Sequence, residues 1–231
     1  MRRMSDEESD NEIYAEGSPP TGSAVDSGNY ADGSDGDTER IESGISTDSE
    51  SEMRDWALDR MPENPYHNRT HVETLLSEVD DLAVSDDDRG ILRLGTYFHD
   101  IGYREGAENH EERSAKVAEE RLSNEGYDDK TIEKVSDAIR DTELFKEPET
   151  RLGAILTDID THNFAYEWEE FKQTSLAVKE EEDPDSSNND WWESTLGLLE
   201  AHSYHSEIGL KRYASGKQET IERLKEEVGD D

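Results

Sequence analysis

Helical periodicity after Met53 is the feature that most constrains the fold of this chain. Apolar residues recur every three or four positions from there onward, and no alternation long enough for a β-strand interrupts them. Prolines and glycines fall between the periodic segments, where helices begin and end. The pattern predicts an all-α domain over residues 53–231, with helices at about 67–84, 87–100, 108–125, 128–142, 149–166, 167–181, 189–204 and 217–228.

Residues 1–52 have a different composition. They are dominated by Gly, Ser, Asp and Glu and contain hardly any aliphatic residues. Such a segment buries too little apolar surface to offset the conformational entropy lost on ordering. We therefore expect a disordered acidic tail over 1–52, with the folded domain following it.

The net charge is extreme, at −37, with 61 acidic residues against 24 basic ones. High salt screens the self-repulsion of such a surface, so the composition predicts a halophilic protein of a salt-rich cytoplasm. Binding to nucleic acid is disfavoured because its phosphates would be repelled. No apolar run approaches the length of a membrane helix, and the first residues lack a secretory signal pattern, so a cytoplasmic protein that does not enter membranes is expected.

Four residues in the order His, His-Asp, Asp carry the chemistry: His71, His99, Asp100 and Asp160. They fall on three of the predicted helices and supply two imidazoles and two carboxylates. The chain has no cysteine, so a thiolate site is excluded. Imidazole and carboxylate together favour a divalent transition ion such as Mn, Fe, Co, Ni or Zn over Ca.

The sequence around these residues agrees with such a site. His67 and His71 are four residues apart and share one helix face. His99 and Asp100 precede Gly102, which is typical of a helix C-terminus, where neighbouring side chains converge most easily on one ion. Asp160 ends an apolar run, where a carboxylate is costly unless it is paired.

Four short motifs occur in order: Tyr66-His67-Asn68 with His71, then Phe98-His99-Asp100-Ile101-Gly102, then 110–115 (HEERSA), then Asp158-Ile159-Asp160. Over residues 60–175 the chain resembles the HD-domain superfamily of metal-dependent phosphohydrolases. The resemblance implies an all-helical bundle with the metal site between helices. It also implies His71, His99, Asp100 and Asp160 as ligands of the first metal ion, with Asp158 as the alternative to Asp160.

The resemblance further implies a reaction. Metal-bound hydroxide would attack phosphorus in a small phosphorylated metabolite or nucleotide, with one or two ions bound. Asp100 would touch both ions, and His110 is the candidate ligand for the second. By analogy with relatives, Glu111 or Glu112 would transfer a proton.

Candidate substrate contacts come from residues beside the motifs. Arg69 and Arg113 are expected to bind the substrate phosphate, because the guanidinium fork matches phosphate oxygens. The alternative for Arg69 is a surface ion pair with Glu73, one helical turn away. His67 is expected either to contact the substrate or to orient the site, with helix capping as the alternative.

Two other functions remain open. A di-iron HD-type oxygenase would keep the same ligands and add imidazoles from His67, His110 or His162; iron content and oxygen consumption would identify it. A non-enzymatic regulatory module would bind metal or nucleotide without converting it, since a fold alone does not establish turnover.

Overall fold

The computed structural model describes residues 47–229, and this part of the chain is built from helices. The all-α prediction is confirmed, because no strand occurs in the described range. The α-helices are α1 (Thr47–Leu58), α2 (Arg69–Asp80), α3 (Asp86–Phe98), α4 (His110–Asn124), α5 (Asp129–Arg140), α6 (Arg151–Asp160), α7 (Trp168–Glu182), α8 (Asn188–Ala201) and α9 (Glu207–Gly229). Short 3₁₀ segments, Ile101–Glu105 and His162–Ala165, follow α3 and α6.

Helix α1 begins ahead of the expected domain boundary at residue 53. The predicted disorder of residues 1–46 lies outside the described residues, whereas 47–52 belong to α1. Met53 and Ala57 are fully buried, and the Tyr97 hydroxyl donates a hydrogen bond of 2.9 Å to Glu50. Contacts with α3 therefore stabilise a helix that its local composition does not predict.

Two other helix boundaries differ from the predicted ones. Helix α6 ends at Asp160 instead of continuing to 166, and the Thr161 hydroxyl donates back to the Thr157 carbonyl at 3.0 Å. Helix α9 starts at Glu207, ten residues before the predicted start. Gly209 and Gly216 lower its local helix propensity, but both approach other segments so closely that a Cβ would clash.

The larger apolar cluster joins α1 to α6. Its fully buried members include Met53, Leu75, Leu92, Phe98, Leu122, Ile139 and Leu156. Each such side chain contributes roughly 1.5–3 kcal/mol relative to an exposed position. This cluster holds the ends of α3 and α6 in place, and the candidate site is built on those ends.

A smaller apolar cluster joins α7 to α9. Its buried members are Phe171, Trp192, Leu199, Ile221 and Leu224, with Trp168 and Trp191 packed around them. These tryptophans therefore belong to the packing between α7, α8 and α9. Among the described helices, none combines the length and the apolar character that crossing a membrane requires.

Candidate metal centre

Four side chains from three helices meet at one buried point. His71 lies in the first turn of α2, and Asp160 is the last residue of α6. His99 and Asp100 directly follow α3. The Asn68 side chain caps α2 by accepting a hydrogen bond from the backbone amide of His71 at 3.3 Å. Helix ends bring these groups together; the sequence predicted this for His99 and Asp100, but placed Asp160 inside a longer helix.

The donor atoms have the separations expected of ligands on one ion. His71 Nε2 lies 3.0 Å from Asp160 Oδ1 and 3.4 Å from His99 Nε2, and His99 Nε2 lies 3.3 Å from Asp160 Oδ1. Asp100 Oδ2 lies 3.1 Å from His99 Nε2 and 3.5 Å from His71 Nε2. Bonds of about 2.0–2.2 Å to a central ion place neighbouring ligands roughly 3.0–3.5 Å apart. His71, His99 and Asp160 thus form a group that can hold a metal ion.

The orientation of the His99 ring is set from outside the cluster. Its Nδ1 lies 3.0 Å from the Thr96 carbonyl, which accepts a hydrogen bond and cannot donate one. The hydrogen of the neutral ring is therefore on Nδ1, and the Nε2 lone pair points to the cluster. This is the arrangement that orients metal-binding histidines in proteins.

The Asp100 carboxylate is the group of the cluster that a bound cation would satisfy. Its Oδ2 is buried and takes part in no hydrogen bond, although ring nitrogens of His71 and His99 lie within 3.5 Å. A carboxylate oxygen facing an imidazole lone pair is unfavourable unless a proton or a cation lies between them. Two carboxylates with two neutral imidazoles balance the charge of a divalent ion.

The pKa values of the central histidine and aspartates reflect the negative potential that the two carboxylates create. Burial alone lowers the pKa of His99, but the carboxylates of Asp100 and Asp160 outweigh burial and raise it well above its ordinary value. Burial raises the pKa of Asp160, and the histidines His99 and His71 more than reverse this, leaving it well below the ordinary value. The pKa of Asp100 is lowered to about 2 despite its burial, chiefly by His99. Without a metal ion, the cluster holds protons instead.

Asp158, the alternative ligand, does not point to this cluster. Its carboxylate accepts hydrogen bonds from the backbone amides of His205 and Ser206, at 2.8 and 2.7 Å, and from the Ser206 hydroxyl at 2.6 Å. These groups directly precede α9, where the Ser206 hydroxyl accepts a hydrogen bond from the Gly209 amide at 3.0 Å, so Asp158 fixes the segment that caps that helix. Asp160 is the carboxylate that the structure brings to the histidines.

His110, the expected ligand of a second ion, lies beside Asp100 but at a longer distance. Its Nε2 is 3.7 Å from Asp100 Oδ1, and its Nδ1 lies 2.9 Å from the Ala107 carbonyl. Gly102 allows this approach, because a Cβ there would clash with the His110 carbonyl. The geometry therefore directs a third ring nitrogen, His110 Nε2, toward Asp100 Oδ1, while Asp100 Oδ2 faces His71 and His99.

His67 is oriented by a residue that the sequence did not indicate. Glu181, near the end of α7, accepts hydrogen bonds from His67 Nδ1 at 2.9 Å and from the backbone amides of Tyr66 and His67 at 3.2 Å each. Burial lowers the pKa of His67, but Asp100 and Glu181 outweigh it and raise the value. Glu181 thus connects α7 to the segment that precedes α2.

Tyr103 is a second residue that the sequence did not indicate. Its ring is stacked on the His67 ring, with centroids 3.9 Å apart, and packs against the His110 ring at 4.0 Å. The Tyr103 hydroxyl lies 3.4 Å from Glu182. Tyr103 therefore separates the two outer histidines and holds both against the centre.

The two candidate proton-transfer residues occupy different surroundings. Glu111 lies 3.4 Å from His110 Nδ1, and its side chain is only 14 % exposed. Glu112 instead forms ion pairs with Arg140 at 2.6 Å and with Lys116 at 3.1 Å, and these pairs lower its pKa. Glu111 is therefore the member of the pair that the structure brings to the site, and Glu112 belongs to the surface between α4 and α5.

The structure does not bring Arg69 to the centre. Its guanidinium lies 3.1 Å from the carboxylate of Asp59, and about half of its side chain is exposed. The surface ion pair with Glu73 does not form either, because Glu73 lies 3.8 Å from Arg54. Arg69 pairs with a residue at the end of α1, which sequence spacing on a single helix does not reveal.

Arg113 is used to hold a loop. Its guanidinium donates to the carbonyl of Gly102 at 3.2 Å and to the carbonyls of Gly106 and Glu108. These carbonyls belong to the segment between α3 and α4. The Arg113 donors expected to contact phosphate are thus occupied by backbone acceptors, and they fix the segment that carries Tyr103.

A cavity of about 170 Å³ is lined by two of the four central side chains, Asp100 and Asp160. Its charged and aromatic lining includes Tyr66, His67, Asp100, Tyr103, His110, Glu111, Asp160 and Glu182. Its remaining lining consists of Thr142, Leu144, Thr161, Asn163, Phe164, Val178 and Leu198. Helices α7 and α8 therefore contribute lining residues to the cavity that contains Asp100 and Asp160.

A scan of the chain against models of known protein families finds no match, and a search of characterised proteins finds no significant similarity.

Proposed function

We propose that this protein hydrolyses a phosphoester in a small phosphorylated metabolite or nucleotide, using a divalent transition ion. The supporting observation is the buried cluster of His71, His99, Asp100 and Asp160, in which Asp100 Oδ2 has no hydrogen-bond partner. The order of these residues in the chain is the one implied by the resemblance to the HD-domain superfamily.

A bound divalent ion would polarise a phosphoryl oxygen and lower the pKa of a water molecule beside it. The residues of the chain have separate tasks. His71 and His99 present their Nε2 atoms, and Asp100 and Asp160 add negative charge that favours a dication over a monocation. The Thr96 carbonyl holds the His99 ring in the tautomer that binding requires.

Proton transfer falls to the pair formed by Glu111 and His110. Glu111 lies within 3.4 Å of the His110 ring, and both residues line the cavity. A carboxylate beside an imidazole is a suitable acceptor for the proton released by attacking water, and a suitable donor to the leaving oxygen. Glu112 has no part in this proposal, because Arg140 engages its carboxylate.

The test is a screen for phosphate release from phosphomonoesters and nucleotides. The protein is held in molar salt and supplied in turn with Mn, Co, Ni, Fe or Zn. We expect hydrolysis with at least one ion, and loss of both metal retention and hydrolysis in Asp100→Ala. Glu112→Gln is the matched control and should retain activity. An Asp100→Ala protein with full activity would refute the proposal.

The same screen separates the rival functions. Oxygen consumption by the iron-loaded protein, without release of phosphate from any substrate, would favour a di-iron oxygenase. Tight nucleotide binding without conversion, with every ion, would favour a regulatory module.

A further inference from the structure

The charges that line the cavity restrict the substrate. Among the described lining residues are the carboxylates of Asp100, Asp160, Glu111 and Glu182, and no lysine or arginine is among them. Sites that bind several phosphate groups normally surround them with arginine or lysine. Asp100 and Asp160 are the groups that a metal ion would neutralise, so Glu111 and Glu182 remain as negative charges facing the rest of the substrate.

Three arginines near the motifs are held elsewhere, and a fourth, Arg104, is exposed and does not line the cavity. Arg113 donates to backbone carbonyls, Arg69 pairs with Asp59, and Arg140 pairs with Glu112 and Glu119. None of these three arginines lines the cavity. Turning one of them inward would break contacts that it makes in the structure.

Glu182 lies on the solvent-exposed side of the cavity, next to residues that surround the centre. It follows Glu181, which is hydrogen-bonded to His67, and it lies 3.4 Å from the Tyr103 hydroxyl. Because Tyr103 packs between His67 and His110, the Glu182 carboxylate is tied to the residues that surround the centre. A substrate in the cavity therefore experiences its negative charge.

The uncharged part of the lining points to an uncharged partner. Leu144, Phe164, Val178 and Leu198 offer apolar surface, while Thr142, Thr161 and Asn163 offer neutral hydrogen-bonding groups. The volume of about 170 Å³ is below the roughly 300–1,000 Å³ of typical ligand sites, which favours a small organic group.

On the basis of the proposed function, we infer that the substrate is a small phosphomonoester whose organic part carries no further negative charge. A second phosphate or a carboxylate on the substrate would face Glu111 and Glu182, and the described lining has no lysine or arginine to pair with it. Nucleoside di- and triphosphates and phosphorylated carboxylic acids are therefore poor substrates. Phosphomonoesters whose organic part is uncharged are good ones.

Two aryl phosphates of nearly equal size test this inference. One is 4-carbamoylphenyl phosphate, which is neutral apart from its phosphate, and the other is 4-carboxyphenyl phosphate. At the lowest salt concentration that keeps the protein folded, kcat/KM is expected to favour the carbamoyl compound by about tenfold or more, since like charges in a binding site disfavour association. Molar salt should reduce the ratio, because it shortens the Debye length to roughly 3 Å.

Binding of the two corresponding phosphonates provides a readout that does not require turnover. Their Kd values, measured by calorimetry on the metal-loaded protein, should show the same preference. Glu182→Lys should reduce the preference or reverse it. Glu180→Gln, which changes an exposed carboxylate on the same helix outside the cavity lining, should leave the ratio unchanged.

The outcomes separate this inference from the function on which it rests. Hydrolysis of both aryl phosphates with equal kcat/KM would overturn the inference and leave the phosphohydrolase proposal standing. A preference that Glu182→Lys does not alter would also overturn it. No phosphate release from either compound with any ion would overturn both.

Discussion

Buried histidines occur in two regions of this protein, and their surroundings differ in sign. At the centre, His99 is fully buried beside Asp100 and Asp160, and its pKa is raised well above the ordinary value despite burial. Between the end of α8 and the start of α9, His202 is also buried, but burial and the nearby Lys217 lower its pKa to about 4. The surroundings of His99 stabilise a positive charge, whereas the surroundings of His202 destabilise one.

The comparison shows that a buried imidazole alone does not indicate a metal site. His202 is neutral and lies 3.2 Å from the Thr161 hydroxyl, so it serves the packing of α8 and α9. His162 likewise pairs with the Tyr166 hydroxyl at 2.6 Å, and burial lowers its pKa. The carboxylates, not the histidines, distinguish the centre from its surroundings.

The largest effect that this comparison predicts is on metal affinity. Asp160→Ala removes a carboxylate from the centre and should weaken binding of a divalent ion by more than about 100-fold, since loss of outer partners alone costs about 10- to 100-fold. His202→Gln is the control and should bind the ion as the wild type does. Titration calorimetry measures the metal affinity of each variant. Equal affinities in the two variants would contradict the difference drawn between the two regions.

A second effect concerns stability and should leave the metal untouched. Asp158→Ala leaves the part-buried backbone amides of His205 and Ser206 without their acceptor, and should lower the free energy of unfolding by about 2–3 kcal/mol. Chemical denaturation measures the loss. The folded fraction should retain wild-type metal affinity, and a variant that loses the ion while keeping its stability would restore Asp158 as a ligand.

The third prediction is a pH dependence that arises away from the centre. His202 stays neutral in the folded protein down to about pH 4, whereas the unfolded chain takes up this proton near the ordinary value of 6.5. The contribution of neutral His202 to the free energy of unfolding is therefore complete above pH 6.5. This free energy falls by roughly 3 kcal/mol as the pH is lowered toward 4. Denaturation of the wild type and of His202→Gln at several pH values measures the difference. Parallel curves for the two proteins would contradict this assignment.

The smallest effect is expected at Arg69. Arg69→Ala removes an exposed ion pair with Asp59 and should change the free energy of unfolding by only about 0–1 kcal/mol. Phosphate release should stay within about twofold of the wild type. A large rise in KM for the substrate would show that Arg69 turns inward when substrate binds.

The central residues were predictable because their signal is local. His71, His99, Asp100 and Asp160 each lie at a helix end within a short motif, and a helix end is where neighbouring side chains converge. The all-α class was predictable for a similar reason, since periodicity is visible in any window of a few turns.

The residues that were missed act over long sequence separations. Glu181 contacts His67 across 114 positions, and Asp158 binds the segment before α9 across 47 or more. The start of α9 was misplaced because the carboxylate that fixes this segment lies on another helix. Arg113 was assigned to substrate because it follows a motif, but the backbone carbonyls that occupy it belong to a loop whose path depends on Gly102.

Anomalous diffraction from crystals grown with Mn²⁺ or Co²⁺ tests the metal centre most directly. The account predicts a peak at about 2.0–2.2 Å from His71 Nε2, His99 Nε2, Asp100 Oδ2 and Asp160 Oδ1. A protein that binds no ion there, with Asp100 and the two imidazoles joined by protons alone, would contradict it.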